Sequence, residues 1–292
     1  MPTDRTESKR VRAFRLSIAK AIPKFPNNRE TLKLLESESL KSLMIHHWNW
    51  AIRYISMRPR AIHIEPSASS DMRWSALKAE ITAFLEKVKN GQDLTPHLSL
   101  APHTRGYTPA SSSRGACVDR WADKDFLLNV MGYHHFHLGL ATEAKGFASR
   151  TDDLLFAKVS RDRFTCVAIL DHSVFDLSSA SAGNMTNERE RLWRIFDEHS
   201  SRGLPPGSVY IPAMITTSGH SLQLARLAND YVHVVREIDP KLDDISYVRG
   251  MYQQVGLICP KKPKLVWHFN TLDLGLLDSS SDRFFVFRYG PN

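Results

Sequence analysis

The sequence predicts an α+β protein, in which an N-terminal helical region is followed by a small, mostly antiparallel sheet with flanking helices. Apolar residues in the first ninety positions recur at steps of three and four, which is the helical period. Residues 91–118 are rich in proline, glycine and serine, and short apolar runs separated by turn signals follow them. These observations predict a basic helical region at 1–105, a linker at 106–116 and an α+β domain at 117–292.

Three helices are expected before the linker. The first covers residues 8–22, where Phe14 and Ile18 belong to an apolar stripe that ends before Pro23. The second is expected as one long helix from Arg29 to Met57, and the third from about Ser70 to Lys89. Tryptophans at helical spacing in the second helix are expected to belong mainly to the core.

The remainder of the chain alternates between strand and helix patterns. Strands are predicted at 133–138, 154–159, 164–170, 208–211, 264–270 and 283–288. Helices are predicted at 123–131, at 187–199 with Thr186 as its cap, at 219–238 and at 241–254. Neither GxGxxG nor GxxxxGK[ST] occurs, so the sequence offers neither common nucleotide-binding fingerprint.

Composition narrows the class of protein. Apolar residues make up 42% of the 292 residues and charged residues 24%, which excludes wholesale disorder and a small disulfide scaffold. Three widely spaced cysteines fit neither a disulfide framework nor a zinc pair. No apolar stretch is long enough to span a membrane, and the charged N-terminus does not resemble a secretory signal. We therefore expect a cytoplasmic protein without a membrane partner.

The positive charge is concentrated near the N-terminus. Residues 1–60 contain 13 Lys and Arg against 5 Asp and Glu, whereas residues 61–292 contain 26 of each. This asymmetry predicts an anionic partner, with nucleic acid first and RNA favoured over DNA. It also suits an acidic partner or inhibitor protein.

The segment His134-His135-Phe136-His137 carries the most chemical information. On a strand, His135 and His137 project to one face and His134 and Phe136 to the other. Histidine titrates closest to neutral pH, so this pair is a candidate for acid–base work. The alternative is a pair of half-buried structural imidazoles.

Two further residues are expected near this pair. Arg150 precedes the strand at 154–159, and His172 follows its hairpin partner at 164–170, so both lie at the same edge of that hairpin. If the 133–138 strand pairs beside it, His135 or His137 meets them there. The predicted catalytic set is therefore His135, His137, Arg150 and His172.

Substrate contacts are predicted from two other segments. Ser218 and His220 stand at a helix start, where free backbone N–H groups favour a phosphate. In the basic region, arginines interleave with aromatic residues, a pattern suited to stacking on bases and pairing with phosphates. Those arginines are Arg53, Arg58 and Arg60.

A metal site is an alternative for the histidine face. His135, His137 and His172 are a usable ligand set for zinc, iron or manganese in a hydrolase or oxygenase. His135-x-His137, followed by Glu143 and Gly146, resembles the first motif of cupins. The main interpretation needs no metal and no cofactor.

The chemistry that this set suits best is metal-free cleavage of RNA. Such cleavage needs a base for the ribose 2′-hydroxyl, an acid for the leaving oxygen and a cation for the charge on phosphorus. The combination is similar in kind to EndoU, RelE and barnase-like ribonucleases, which place His, Arg and hydroxyl residues on a small antiparallel sheet. We therefore predict a toxin-type or defence-type endoribonuclease, with His137 or His135 as base, His172 as acid and Arg150 as cation. A non-enzymatic nucleic-acid-binding or regulatory protein remains the main alternative.

Overall fold

A computed structural model of the chain describes residues 7–99, 106–109, 123–141, 143, 146–176, 185–209 and 220–291. The chain divides into two compact units. Unit 1 comprises residues 1–51, 105–116 and 223–291, and unit 2 comprises residues 52–104 and 117–222 together with the last residue. The segments 1–105 and 117–292, which the sequence suggested as separate regions, are therefore each shared between the two units.

Unit 1 combines helices from both parts of the chain with a three-stranded sheet. Its helices are α1 (Lys9–Ala21), α2 (Arg29–Ser37), α3 (Leu40–Ala51), α9 (Leu222–Ile238) and α10 (Ile245–Gln254). The antiparallel strands β5 (Leu265–Asn270), β6 (Asp273–Asp278) and β7 (Arg283–Arg288) are arranged in that order. A short 3₁₀ helix, Asp239–Asp243, joins α9 to α10.

Aromatic side chains fill the core of unit 1. Trp48 of α3 is fully buried and meets the ring of Tyr231 edge-on, with 4.7 Å between centroids. Phe14 of α1 packs on Phe269 of β5 at 5.3 Å, and the His47 ring stacks on the same phenyl ring at 5.0 Å. The expectation that the tryptophan-rich part of the second helix belongs to the core is thus met for Trp48.

Unit 2 is built on a four-stranded mixed sheet with the strand order β1-β4-β3-β2. Strands β2 (Tyr133–His137), β3 (Asp153–Val159) and β4 (Arg163–Asp171) are antiparallel neighbours, whereas β1 (Ala61–Ile64) pairs parallel to β4. The helices of this unit are α4 (Pro66–Ser69), α5 (Met72–Ala76), α6 (Lys78–Lys89), α7 (Asp123–Met131) and α8 (Asn187–Ser201).

Both faces of this sheet are covered. Phe84 of α6 packs on one face against Phe136 and Phe164, while Leu192 of α8 belongs to the cluster on the other face with Phe156. Double coverage explains why β3 and β4 read as nearly continuous apolar runs instead of alternating ones. No helix within the described residues is long and apolar enough to cross a membrane.

The α+β class is confirmed, but two long helices were predicted wrongly as single elements. The expected helix from Arg29 to Met57 is two helices, because Glu38 is extended and the Ser39 hydroxyl caps the next helix by accepting from Ser42 N. That helix also ends at Ala51, well before Met57. Similarly, Asp71 caps a short helix, and a new helix starts at Lys78.

Two strands escaped the sequence analysis. Strand β1 is four residues long, too short for a convincing alternation. Strand β6 follows a two-residue hairpin turn in which Thr271 has φ of 56°, a position where glycine or asparagine is the usual signal. In the strand predicted at 208–211, residues 208 and 209 are not in a strand, and the rest lies outside the described residues.

Candidate functional site

The β2 strand places its histidines as the alternation predicts. His135 pairs with Phe156 and His137 with Leu154, and these partners belong to the apolar cluster under α8. His134 points to the opposite face and stacks on Phe136 at 6.2 Å. His135 and His137 therefore share one face of the sheet.

His137 and His172 lie side by side. Their ring centroids are 5.5 Å apart, and the two planes are tilted by 35°. The His137 side chain is buried, with 5% of its surface exposed. His172 is the first residue of the 3₁₀ helix His172–Phe175 and is exposed. We call these two residues the imidazole pair.

Backbone hydrogen bonds fix the tautomer of each ring. His172 Nδ1 lies 2.9 Å from the carbonyl oxygen of Asp152, and since a carbonyl only accepts, Nδ1 carries the proton. His137 Nδ1 accepts from the backbone N–H of Thr151 at 3.3 Å, so in the neutral ring the proton is on Nε2. The pair thus combines a basic Nε2 on His172 with an N–H donor on His137.

His135 is linked to the pair through an aromatic ring. Its centroid lies 5.0 Å from that of Phe175, and Phe175 lies 6.2 Å from His172. The Phe156 ring is also near, at 5.9 Å from His135. This half-buried imidazole therefore lies among aromatic side chains beside the pair.

Arg150 approaches the site from the loop before β3. Its guanidinium donates to the Leu98 carbonyl at 3.1 Å and lies 5.8 Å from the Phe147 ring centre, and partial burial lowers its pKa. The next residue, Thr151, provides the N–H that holds His137. The structure thus connects Arg150 to the pair through the backbone and directs its side chain towards Leu98.

A buried histidine outside the predicted set supports the end of β2. His97 Nδ1 donates to the His137 carbonyl at 2.7 Å, and its Nε2 accepts from Lys87 Nζ at 2.9 Å. Burial, with the nearby Lys87 charge, lowers the pKa of His97. His97 lies in the proline-rich stretch at 91–118, where no spacing signal in the sequence points to it.

An ion-pair network braces the edge that carries His172. Asp153 and Asp171 face each other across β3 and β4, an arrangement in which two carboxylates repel. Arg73 approaches Asp153 at 3.5 Å and Glu188 at 3.3 Å, and Glu188 in turn accepts from the Asp171 N–H at 3.3 Å. Arg73 also binds Asp71 at 2.9 Å, and Arg191 binds Asp71 at 2.7 Å, so two cations join the carboxylates at this edge.

A second polar cluster lies at the other end of the same sheet. The Glu65 carboxylate accepts two bonds from Arg202, at 3.1 and 3.0 Å, and lies within 3.6 Å of both His63 Nε2 and His199 Nε2. The Tyr133 hydroxyl contacts His199 Nδ1 at 3.2 Å. The hydrogen bonds from Arg202 are the main reason that the pKa of Glu65 is lowered. The sequence gives no signal for this cluster, because its members come from segments far apart in the chain.

The predicted phosphate-binding arginines are placed differently from expectation. Arg60 is 4% exposed and donates to the Ser160 carbonyl at 2.8 Å and to the Ser56 carbonyl and hydroxyl at 3.0 Å. Burial lowers its pKa to about 10. Arg53 is also buried, at 9% exposure, so neither guanidinium is presented to a polymer in solution. Arg58 is half-buried, and its role stays a prediction.

The proposed phosphate contact at the start of α9 is only partly described. Ser218 lies outside the described residues, and the helix begins at Leu222 instead of Gly219. His220 is half-buried, and burial lowers its pKa. Its role as a phosphate contact stays a prediction.

The alternative metal site is not supported by the side-chain geometry. Within the described ranges, no three or more His, Cys, Asp or Glu side chains are grouped so that they could hold a metal ion. The trio His135, His137 and His172 is described in full and does not form such a group. We therefore derive no step through a metal.

The net charge belongs to the unit without the imidazole pair. Unit 1 contains 21 Lys and Arg against 13 Asp and Glu, whereas unit 2 contains 18 of each.

Comparison of the chain with family models, curated proteins and solved structures gives no match.

Proposed function

We propose that the protein is a metal-independent endoribonuclease whose reaction centre is the imidazole pair. The observation that carries the proposal is the 5.5 Å separation of the His137 and His172 rings, with complementary tautomers fixed by the backbone. The pair supplies a base for the ribose 2′-hydroxyl and a hydrogen-bond donor for the charge on phosphorus, and water serves as the acid for the leaving oxygen.

The tautomers support a change in the roles that the sequence suggested. His172 is exposed and has its lone pair on Nε2, so we assign it as the base that takes the proton of the 2′-hydroxyl. His137 donates from Nε2–H to a non-bridging phosphate oxygen as the 2′-oxygen attacks phosphorus. Its Nδ1 faces the Thr151 N–H, which disfavours the doubly protonated ring that a general acid would need.

The remaining groups complete the reaction as follows. The 5′-oxygen departs with the bonding electron pair and takes a proton from water, and the proton that His172 took up then neutralises the resulting hydroxide. The products are a 2′,3′-cyclic phosphate and a 5′-hydroxyl. Arg150 directly precedes Thr151, whose N–H holds His137, and its guanidinium would need to leave the Leu98 carbonyl to neutralise the phosphate. His135 borders the site and is assigned no proton-transfer step.

The test is cleavage of end-labelled RNA in EDTA by the wild type and by His172→Ala. We expect the variant to lose roughly 10²- to 10⁴-fold in rate, the usual contribution of a general base. His233→Ala is the matched control, because His233 is an exposed histidine on α9. Absence of EDTA-resistant cleavage in the wild type, or equal activity of the His172 variant, would refute the assignment.

A second candidate function is nucleic-acid binding without cleavage. It is favoured by the charge distribution, because the surplus of 8 belongs to unit 1 and the imidazole pair to the neutral unit 2. The same assay separates the two functions when run beside a binding measurement. Salt-dependent retention of uncleaved RNA would favour binding alone.

A further inference from the structure

The basic residues of α1 fall into two groups that the sequence does not distinguish. Arg10 is committed to unit 1: it binds the Asp239 carboxylate at 3.0 Å and Asp243 at 2.9 Å. Arg15 binds Glu7 at 3.1 Å and donates to the Glu38 carbonyl at 3.0 Å. These two side chains therefore hold the helix in place.

The other three cations form a stripe that faces solvent. Lys9, Arg12 and Lys20 are all exposed, and no ion pair to any of them occurs among the described residues. They lie within twelve consecutive residues, and the eleven steps from Lys9 to Lys20 cover about 16 Å of helix axis. We call these three residues the α1 basic stripe.

The charges of the stripe destabilise α1, which is unusual for a helix face that only contacts water. Lys9 and Arg12 are like charges at a spacing of three, and the first turn of α1 holds no acidic residue to complement the helix dipole. The usual surface helix mixes both signs of charge. A face kept wholly positive therefore indicates an anionic partner.

The residues between the cations indicate which anion. The exposed positions beside them are Ala13, Ser17 and Ala21, and the half-buried Leu16 lies between Arg12 and Lys20 on the same face. The face therefore has no aromatic ring to stack on bases, and one half-buried leucine is too little to insert into a lipid layer. Lysine and arginine side chains bind the phosphate backbone and do not distinguish between base sequences. A stripe of about 16 Å can accommodate about three successive phosphates of an extended strand.

We propose that the α1 basic stripe is a docking surface for the phosphate backbone of single-stranded RNA. The choice of RNA over another polyanion rests on the proposed function. The surface supplies sequence-independent affinity, and it lies in the unit that carries the whole net charge.

The experiment is fluorescence anisotropy with a labelled 2′-O-methyl RNA oligonucleotide over a range of NaCl concentrations. The variant Lys9→Gln/Arg12→Gln/Lys20→Gln should bind roughly 10- to 100-fold more weakly at 0.1 M salt. The slope of log K against log salt should become shallower by about 2, since each phosphate contact to a single strand contributes about 0.7. The charge-preserving variant Lys9→Arg/Lys20→Arg should bind as the wild type does.

The matched control is Lys78→Gln/Lys89→Gln/Arg194→Gln, which removes the same charge from exposed helix positions of unit 2. It should leave the slope unchanged. An equal loss in the control, an unchanged slope in the α1 variant, or wild-type binding to phosphatidylserine vesicles but not to RNA would overturn the proposal. If the triple variant does not fold, Lys20→Gln alone should still reduce the slope by about 0.7.

The outcome is distinguishable from failure of the proposed function. The 2′-O-methyl group removes the attacking hydroxyl, so this measurement reports binding only. A wild type that binds this RNA but never cleaves natural RNA would refute the nuclease and leave the docking surface supported.

Discussion

Acidification is expected to destabilise unit 2 through His134, and the size of the effect follows from its surroundings. His134 Nε2 donates to the Ile52 carbonyl at 2.9 Å, and its Nδ1 is buried with no hydrogen-bond partner among the described residues. Burial lowers the pKa of His134 to about 4. The native ring is therefore neutral at pH 5, where the unfolded ring is protonated.

The sign of the effect follows from proton linkage. Above about pH 6.5, the ordinary histidine value, both states are neutral and this residue adds no pH dependence. Below that pH the unfolded state binds the extra proton, so stability falls with pH until the native ring also titrates. Between pH 7 and 5 the loss is about 2 kcal/mol for this one group.

The assay is urea unfolding at pH 7, 6 and 5 for the wild type and for His134→Gln. Glutamine keeps an N–H donor for Ile52 but does not titrate, so the fall in unfolding free energy should be smaller by about 2 kcal/mol. His233→Gln, at an exposed site, should retain the wild-type pH dependence. If His134→Gln keeps the full dependence, the reasoning that the buried ring excludes the proton is refuted.

Two other perturbations have defined outcomes. The Asp239 carboxylate binds both Arg10, at 3.0 Å, and the Trp267 indole N–H, at 2.9 Å. Asp239→Ala removes it and should lower the free energy of unfolding in urea by about 2–4 kcal/mol. A decrease below about 0.5 kcal/mol would contradict this expectation. Arg73→Met removes the cation between Asp153 and Glu188, so the ¹⁵N imidazole signals of His172 should change from the Nδ1–H tautomer to a mixture. Arg73→Lys should restore most of the wild-type signal, and unchanged signals in the methionine variant would show that the network does not position His172.

The sequence was most informative where one local rule dominates. The helix at 187–199 was predicted with its Thr186 cap, and the Thr186 hydroxyl indeed accepts from Arg189 N. The shared face of His135 and His137 follows from strand geometry alone. Their approach to His172 followed from the hairpin register, in which Asp153 faces Asp171.

The parts that were missed depend on contacts between distant residues. Nothing near Arg60 in the chain indicates that its guanidinium binds the carbonyl of Ser160, one hundred residues away. The parallel pairing of β1 with β4 is equally non-local, so a four-residue strand could not be recognised. The tautomers of the imidazole pair depend on backbone atoms of Thr151 and Asp152, which residue types alone do not place.

The interleaved make-up of unit 1 imposes an order on its synthesis. Residues 1–51 leave the ribosome before their partners in unit 1, which lie at 223–291. At ordinary translation rates this separates them by roughly ten to thirty seconds. During that interval Phe14 and Trp48 lack the rings of Phe269 and Tyr231 on which they finally pack. By its end every strand of the unit 2 sheet has been made. The strands of the unit 2 sheet are thus complete before unit 1 can close, and until then the apolar faces of α1 and α3 lack their partners on β5 and α9.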